Sequence, residues 1–121
     1  MNKLIMITSK ELAESLCALT RLEQVAAQEL KRIKDMHTNS VVQVRTKHKQ
    51  TKQAEAYLQD ITNTKQILTR NLHGSVDKYY LTVTSREFGQ IRFYLQDFVW
   101  DIDKNNKYVN NLLAKLDPNL I

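Results

Sequence analysis

Few side chains in this chain have the type and spacing that chemistry requires. Its three histidines are His37, His48 and His73. If one helix carries the first two, the step between them sets both on one face but roughly 16 Å apart along the axis, too far to share a metal ion. Asp101 and Asp103 look like a carboxylate pair, yet residues two apart in a helix diverge by about 200°, which rules against general acid–base partnership or shared ligation. Together with Asp97 and Trp100 they read as the solvated rim of a helix. Cys17 is the single cysteine. It has no second thiol for a disulfide or a zinc site and no spaced histidine to activate it, so it reads as a small side chain to be buried. No catalytic residue, metal, cofactor or small-molecule substrate is expected, and the chain does not read as an enzyme.

Charge carries more information. The net charge is +5 over 121 residues, and it is unevenly spread. Residues 31–53 hold Lys31, Arg32, Lys34, Arg45, Lys47, Lys49 and Lys52 against Asp35 alone, while the rest of the chain is nearly balanced. Such a basic patch attracts an acidic protein surface or phosphates, with His37 and His48 adding to it below neutral pH. The stretch lacks the interleaved aromatics of a base-stacking surface and the punctuation of a helix-turn-helix, so nucleic acid is the less favoured partner and a solvated helix face the plainest alternative.

The elements that must present these residues are helices. Two glycines and one proline are too few for an all-β fold, and apolar residues at 42% are too many for a disordered chain. Two segments read as matching helix starts: Ile7-Thr8-Ser9-Lys10-Glu11-Leu12 and Val83-Thr84-Ser85-Arg86-Glu87-Phe88. In each, the threonine is a cap, the glutamate completes a capping box, and the flanking apolar pair forms a staple. Six residues are read as convergence on a good cap.

From the first cap, Leu12, Leu16, Leu19, Ala26, Leu30 and Ile33 form one apolar seam, broken only by Glu23. Poor helix formers at His37-Thr38-Asn39-Ser40 permit a turn, and a hairpin broken near 37–41 is preferred to one uninterrupted helix. The same frame continues through Val44, Ala54, Leu58, Ile61, Leu68 and Leu72, with Lys47, Thr51 and Lys65 as polar members. Gly74 suits a left-handed position just past the helix end. Tyr79 to Thr84 is rich in strand formers but has nothing obvious to pair with, so residues 74–84 read as a linker. The last seam, Phe88, Ile91, Leu95, Phe98, Ile102, Asn105, Val109, Leu112 and Leu116, runs without a slip until Asp117-Pro118 stops it.

The fold expected is therefore all-α, a single domain over 1–121 of three long helices at about 9–36, 41–73 and 85–116, packed as a bundle or partly extended as a coiled coil. Its design resembles small helical adaptors, assembly factors and export chaperones. Asn105-Asn106-Lys107-Tyr108-Val109-Asn110-Asn111-Leu112-Leu113 is loosely similar to the last helix of flagellar export chaperones. The expected function is a protein–protein interaction module that also self-associates, with Tyr94, Phe98, Trp100, Asn105, Val109 and Leu112 as interface residues. The alternative is a basic helical protein resting residues 31–53 on nucleic-acid phosphates. The opening Met-Asn-Lys-Leu-Ile-Met-Ile is too short for a signal-peptide core and no stretch is long and apolar enough to span a membrane, so a cytoplasmic location without membrane insertion is expected.

Overall fold

Both capping boxes form. Thr8 Oγ1 accepts from the Glu11 backbone N–H at 3.2 Å and Glu11 Oε1 accepts from the Thr8 N–H at 3.0 Å; Thr84 and Glu87 repeat the exchange at 3.1 and 2.9 Å. Each cap, however, ends a strand. The computed structural model describes residues 2–70, 72–75 and 78–116. Along the chain these form β1 (Asn2–Thr8), α1 (Ser9–Lys34), α2 (Val41–Arg70), β2 (Leu72–Ser75), β3 (Lys78–Thr84), α3 (Ser85–Asp101) and α4 (Lys107–Lys115).

The all-α expectation is thereby corrected: a three-stranded antiparallel sheet of order β1-β3-β2 joins the helices. The supposed linker over 74–84 supplies the central strand β3 and the end of β2, and β3 finds a partner in the opening residues, across both long helices. Alternation then sorts the sides. Ile5, Ile7, Leu81 and Val83 point into the core, while Leu4, Met6 and Tyr80 on the other face stay exposed. Gly74 lies within β2 rather than just past a helix. Its φ of +142° is closed to most side chains, and a Cβ there would collide with the Lys78 carbonyl.

The two strand–helix units match beyond their caps. Aligning Thr8 with Thr84 makes Ile5 the equivalent of Leu81, and these two residues pair with each other in the sheet. The strands β1 and β3 are therefore related by a local two-fold axis through that pair. Burial follows the same correspondence: Ala18 and Tyr94, Leu19 and Leu95, Leu22 and Phe98 are all core residues. Ser15 sits where the second unit has Ile91, fully buried, and its hydroxyl has no hydrogen-bond partner. A buried hydroxyl without a partner costs stability. Ser15→Ala is accordingly expected to raise the unfolding free energy by about 1 kcal/mol in urea titration.

The chain turns between α1 and α2, as in the hairpin reading. Ser40 Oγ accepts from the Gln43 N–H at 3.2 Å to start α2, and the Lys47 ammonium donates to the Met36 carbonyl at 2.9 Å, closing the end of α1. Glu23, the break in the first seam, faces two polar residues of α2: it accepts from the Lys65 ammonium at 2.6 Å and from the Thr62 hydroxyl at 2.5 Å. Partial burial works against its charge, but the Lys65 and Thr62 hydrogen bonds outweigh that and hold the carboxyl below its ordinary range.

The final seam, unbroken in sequence, is broken in space. A helix over 85–116 is replaced by α3 and α4 because the Asp103 and Asn106 side chains bond locally to the backbone. Asp103 Oδ1 accepts from the Asn105 N–H at 3.1 Å, and Asn106 caps α4 by accepting from the Val109 N–H at 3.1 Å. From there α4 doubles back along α1, with Asn106 beside Glu14 and the Lys115 ammonium 2.6 Å from the Glu11 carboxylate. Val109, Leu112 and Leu116 thus enter the same core as Phe98 and Leu95. The expected stop at Asp117-Pro118 lies outside the described residues. Among the described residues, no helix is long and apolar enough to cross a membrane.

Candidate functional site

Helix α2 changes character along its length. Its buried residues are Ile61, Thr64, Ile67 and Leu68, all in the second half. From Val41 to Asp60 no side chain is buried, and Val41, Val42 and Val44 are exposed, Val42 to 72%. The first half of α2 and the end of α1 therefore make an arm that reaches past the core, with Ile33 buried near its tip, outside the core cluster.

Along this arm Arg45, Lys49 and Lys52 recur at helical spacing and form one exposed stripe. Lys31 and Lys34 are exposed on α1. Two of the seven basic residues are used internally, Lys47 on the Met36 carbonyl and Arg32 in a two-pronged pair with Glu29 at 2.5 and 2.9 Å. Lys34 approaches Glu55 only at 3.9 Å, and among the described residues Lys31, Arg45, Lys49 and Lys52 make no ion pair. The hairpin thus brings the basic patch together on one projecting element.

The residues expected as an interface divide differently. Tyr94, Phe98, Val109 and Leu112 are core side chains with almost no exposed surface, Phe98 at 1%. Periodicity located an apolar face correctly, but that face is satisfied by the chain's own helices. Trp100, at 62%, and Asn105 are exposed. Cys17, expected to be buried, is exposed as well, because the buried face of α1 passes through Ser15, Ala18, Leu19 and Leu22 and leaves it outside. Asp101 is exposed at the end of α3, and His37, His48 and His73 lie in the turn, on α2 and on β2. Among the described residues no three histidine, cysteine or acidic side chains gather where a metal could sit.

Sequence reasoning missed a groove at the base of the arm. It is a cavity of about 540 Å³ between α1 and α2, walled by Leu22, Val25, Ala26 and Ile33 on one side and by Gln50, Gln53, Ala54 and Tyr57 on the other. Asp101 and Ile102 close one end, and Glu29 and Arg32 also line it. The spacing of Gln50, Ala54 and Tyr57 was a readable signal, since it places them on one helix face.

Below the groove, α3 occupies the valley between the two helices. Gln90 donates to Thr64 Oγ1 at 3.0 Å, Tyr94 to Asp60 at 3.1 Å and Tyr57 to Asp97 at 2.7 Å, and the Tyr57 and Tyr94 rings meet edge-on at 5.4 Å. Burial first, then the neighbouring Asp97 and Asp60 carboxylates, push both phenols well above their ordinary range. In the unfolded chain they ionise near pH 10. A raised folded value means that their contribution to stability is complete below about pH 10 and is lost as pH rises toward the folded value. Alkaline unfolding followed by circular dichroism is expected to coincide with the ultraviolet signal of tyrosine ionisation; Tyr57→Phe, which removes one titrating group, is expected to shift the transition upward in pH.

Comparison with protein families, curated proteins and solved structures finds no match to this chain.

Proposed function

We propose that this protein is a non-enzymatic docking module whose α1–α2 arm engages another protein. The observation that carries this reading is the half of α2 that holds its helix without burying a side chain, while displaying exposed valines beside a basic stripe that makes no ion pair among the described residues. A merely solvated helix has no use for three exposed valines at its start, whereas an interface combines apolar anchors with charges that steer the encounter. Val41, Val42 and Val44 are the anchors and Arg45, Lys49 and Lys52 the steering charges.

A site-specific photo-crosslinker at Val42 tests this in the cell of origin, with the same probe at Tyr80 on the open sheet face as the control. A discrete protein adduct from Val42, lost when Arg45, Lys49 and Lys52 become glutamate, is expected. An adduct to nucleic acid would contradict it.

The stripe itself favours the second reading, phosphate contact. Three phosphates neutralised would make log Kd for a duplex oligonucleotide rise with log salt at a slope of about 3. The valines have no part in such a complex, so exchanging them for serine would leave it unchanged.

A further inference from the structure

The two capping boxes have different surroundings. At the first, the Lys115 ammonium donates to Glu11 Oε1 at 2.6 Å and to the Met6 carbonyl at 3.1 Å. With Thr8 aligned on Thr84, Glu87 is the equivalent of Glu11 and Thr82 the equivalent of Met6. Both line one cavity of about 370 Å³ at the end of the sheet where β3 runs into α3. Among the described residues no cation pairs with Glu87, whose carboxylate accepts from the Thr84 N–H at 2.9 Å. Arg70, at the end of α2, and His73, on β2, line the same cavity, and among the described residues their side chains make neither a hydrogen bond nor an ion pair. An acid and a base therefore share one cavity without neutralising each other.

We propose that this cavity binds a free α-amino acid, its ammonium on Glu87 and its carboxylate on Arg70 and His73. The chain's own Lys115 is the precedent for the first contact. Glu11 Oε1 takes that ammonium while still accepting from the Thr8 N–H at 3.0 Å, so a capping-box glutamate holds a cation without giving up its cap. For the second contact, a guanidinium matches a carboxylate with two parallel hydrogen bonds, and an imidazole N–H supplies a further donor. Charge selects against either half alone. A plain amine meets Arg70 and a plain carboxylate meets Glu87, whereas a ligand carrying both signs answers both walls. The volume is that of a small-molecule site, and Asn2, Thr82 and Thr84 around it suit a small or polar ligand side chain. This site is independent of the docking arm, because Arg70 and Val41 are at opposite ends of α2.

The test is a titration of the isotopically labelled protein with glycine, serine and glutamine, following the backbone amides of residues 82–87 by nuclear magnetic resonance. Ethylamine and acetate, which each carry one of the two charges, are the controls. The amino acids are expected to bind at least about tenfold more tightly than either control, since each control forfeits one charge-assisted contact. Glu87→Gln keeps the capping box, because glutamine also serves at that position, and Arg70→Gln alters an exposed side chain. Each is therefore expected to leave the urea midpoint in place while weakening amino-acid binding at least about tenfold. Absence of any shift with all three amino acids up to about 10 mM overturns the proposal. Acetate bound as tightly as glycine would reduce the site to an anion site at Arg70 and His73, and ethylamine bound as tightly would reduce it to a cation site at Glu87. Either result overturns the proposal, as does amino-acid binding that survives both substitutions.

Discussion

Phe98→Ala is expected to lower the unfolding free energy by about 3–5 kcal/mol, in a chain whose total stability is on the order of 5–15 kcal/mol. The ring is almost wholly buried, lies under the Arg21 guanidinium at 5.6 Å and belongs to a cluster shared by α1, α3, α4 and the sheet. Removing it opens a cavity that those elements cannot close without moving together. Trp100→Ala, two residues further on, is expected to change stability by less than about 0.5 kcal/mol, because most of that side chain is in water. The pair is a sharp check by urea unfolding. Equal midpoints for Phe98→Ala and the unsubstituted protein would mean that α3 does not pack as described. It also shows why loss of a complex on changing Phe98 says nothing about an interface: the variant loses its fold first.

The second large effect is on binding. Reversing Arg45, Lys49 and Lys52 to glutamate removes three positive charges from the arm and adds three negative ones. Because all three side chains are exposed and make no ion pair among the described residues, stability is expected to change by less than about 1 kcal/mol. Binding of an acidic partner, by contrast, is expected to fall at least about a hundredfold at low salt, with most of the loss in the association rate. The difference between wild type and variant narrows as salt rises and the Debye length falls to about 8 Å at physiological strength. Surface plasmon resonance against the partner captured by the Val42 crosslink separates the two rates. An unchanged association rate would place the docking surface elsewhere.

What could be read from residue order was local. The two capping boxes were visible at Thr8 and Thr84 because both partners of each lie within four residues. The turn near Ser40 was visible in its weak helix formers. The polar members of the seams were visible as anomalies, and the structure accounts for two of them together: Glu23 of α1 meets Lys65 of α2. The sheet was not legible, because β1 is a seven-residue strand whose partner, β3, follows two long helices, and no local signal spans that gap. The break between α3 and α4 was hidden because the apolar phase survives it. Val109 and Leu112 keep their place in the spacing while Asp103 and Asn106 redirect the backbone.

The candidate site was half legible for a related reason. Composition located the basic residues, but only the fold shows which are already engaged, Arg32 and Lys47, and which stand free. Apolar spacing marked Phe98, Tyr94, Val109 and Leu112 without telling an internal face from an external one. The groove required three helices to be placed, since it exists only where α3 stops short of the valley's end.

The most direct test of the account is a nuclear magnetic resonance titration of the isotopically labelled protein with the partner captured by the Val42 crosslink, following backbone amides. The account predicts shifts concentrated at residues 41–52, with the sheet unmoved. Shifts centred instead on Leu4, Met6 and Tyr80, or on Phe93 and Trp100 with the arm silent, would contradict it.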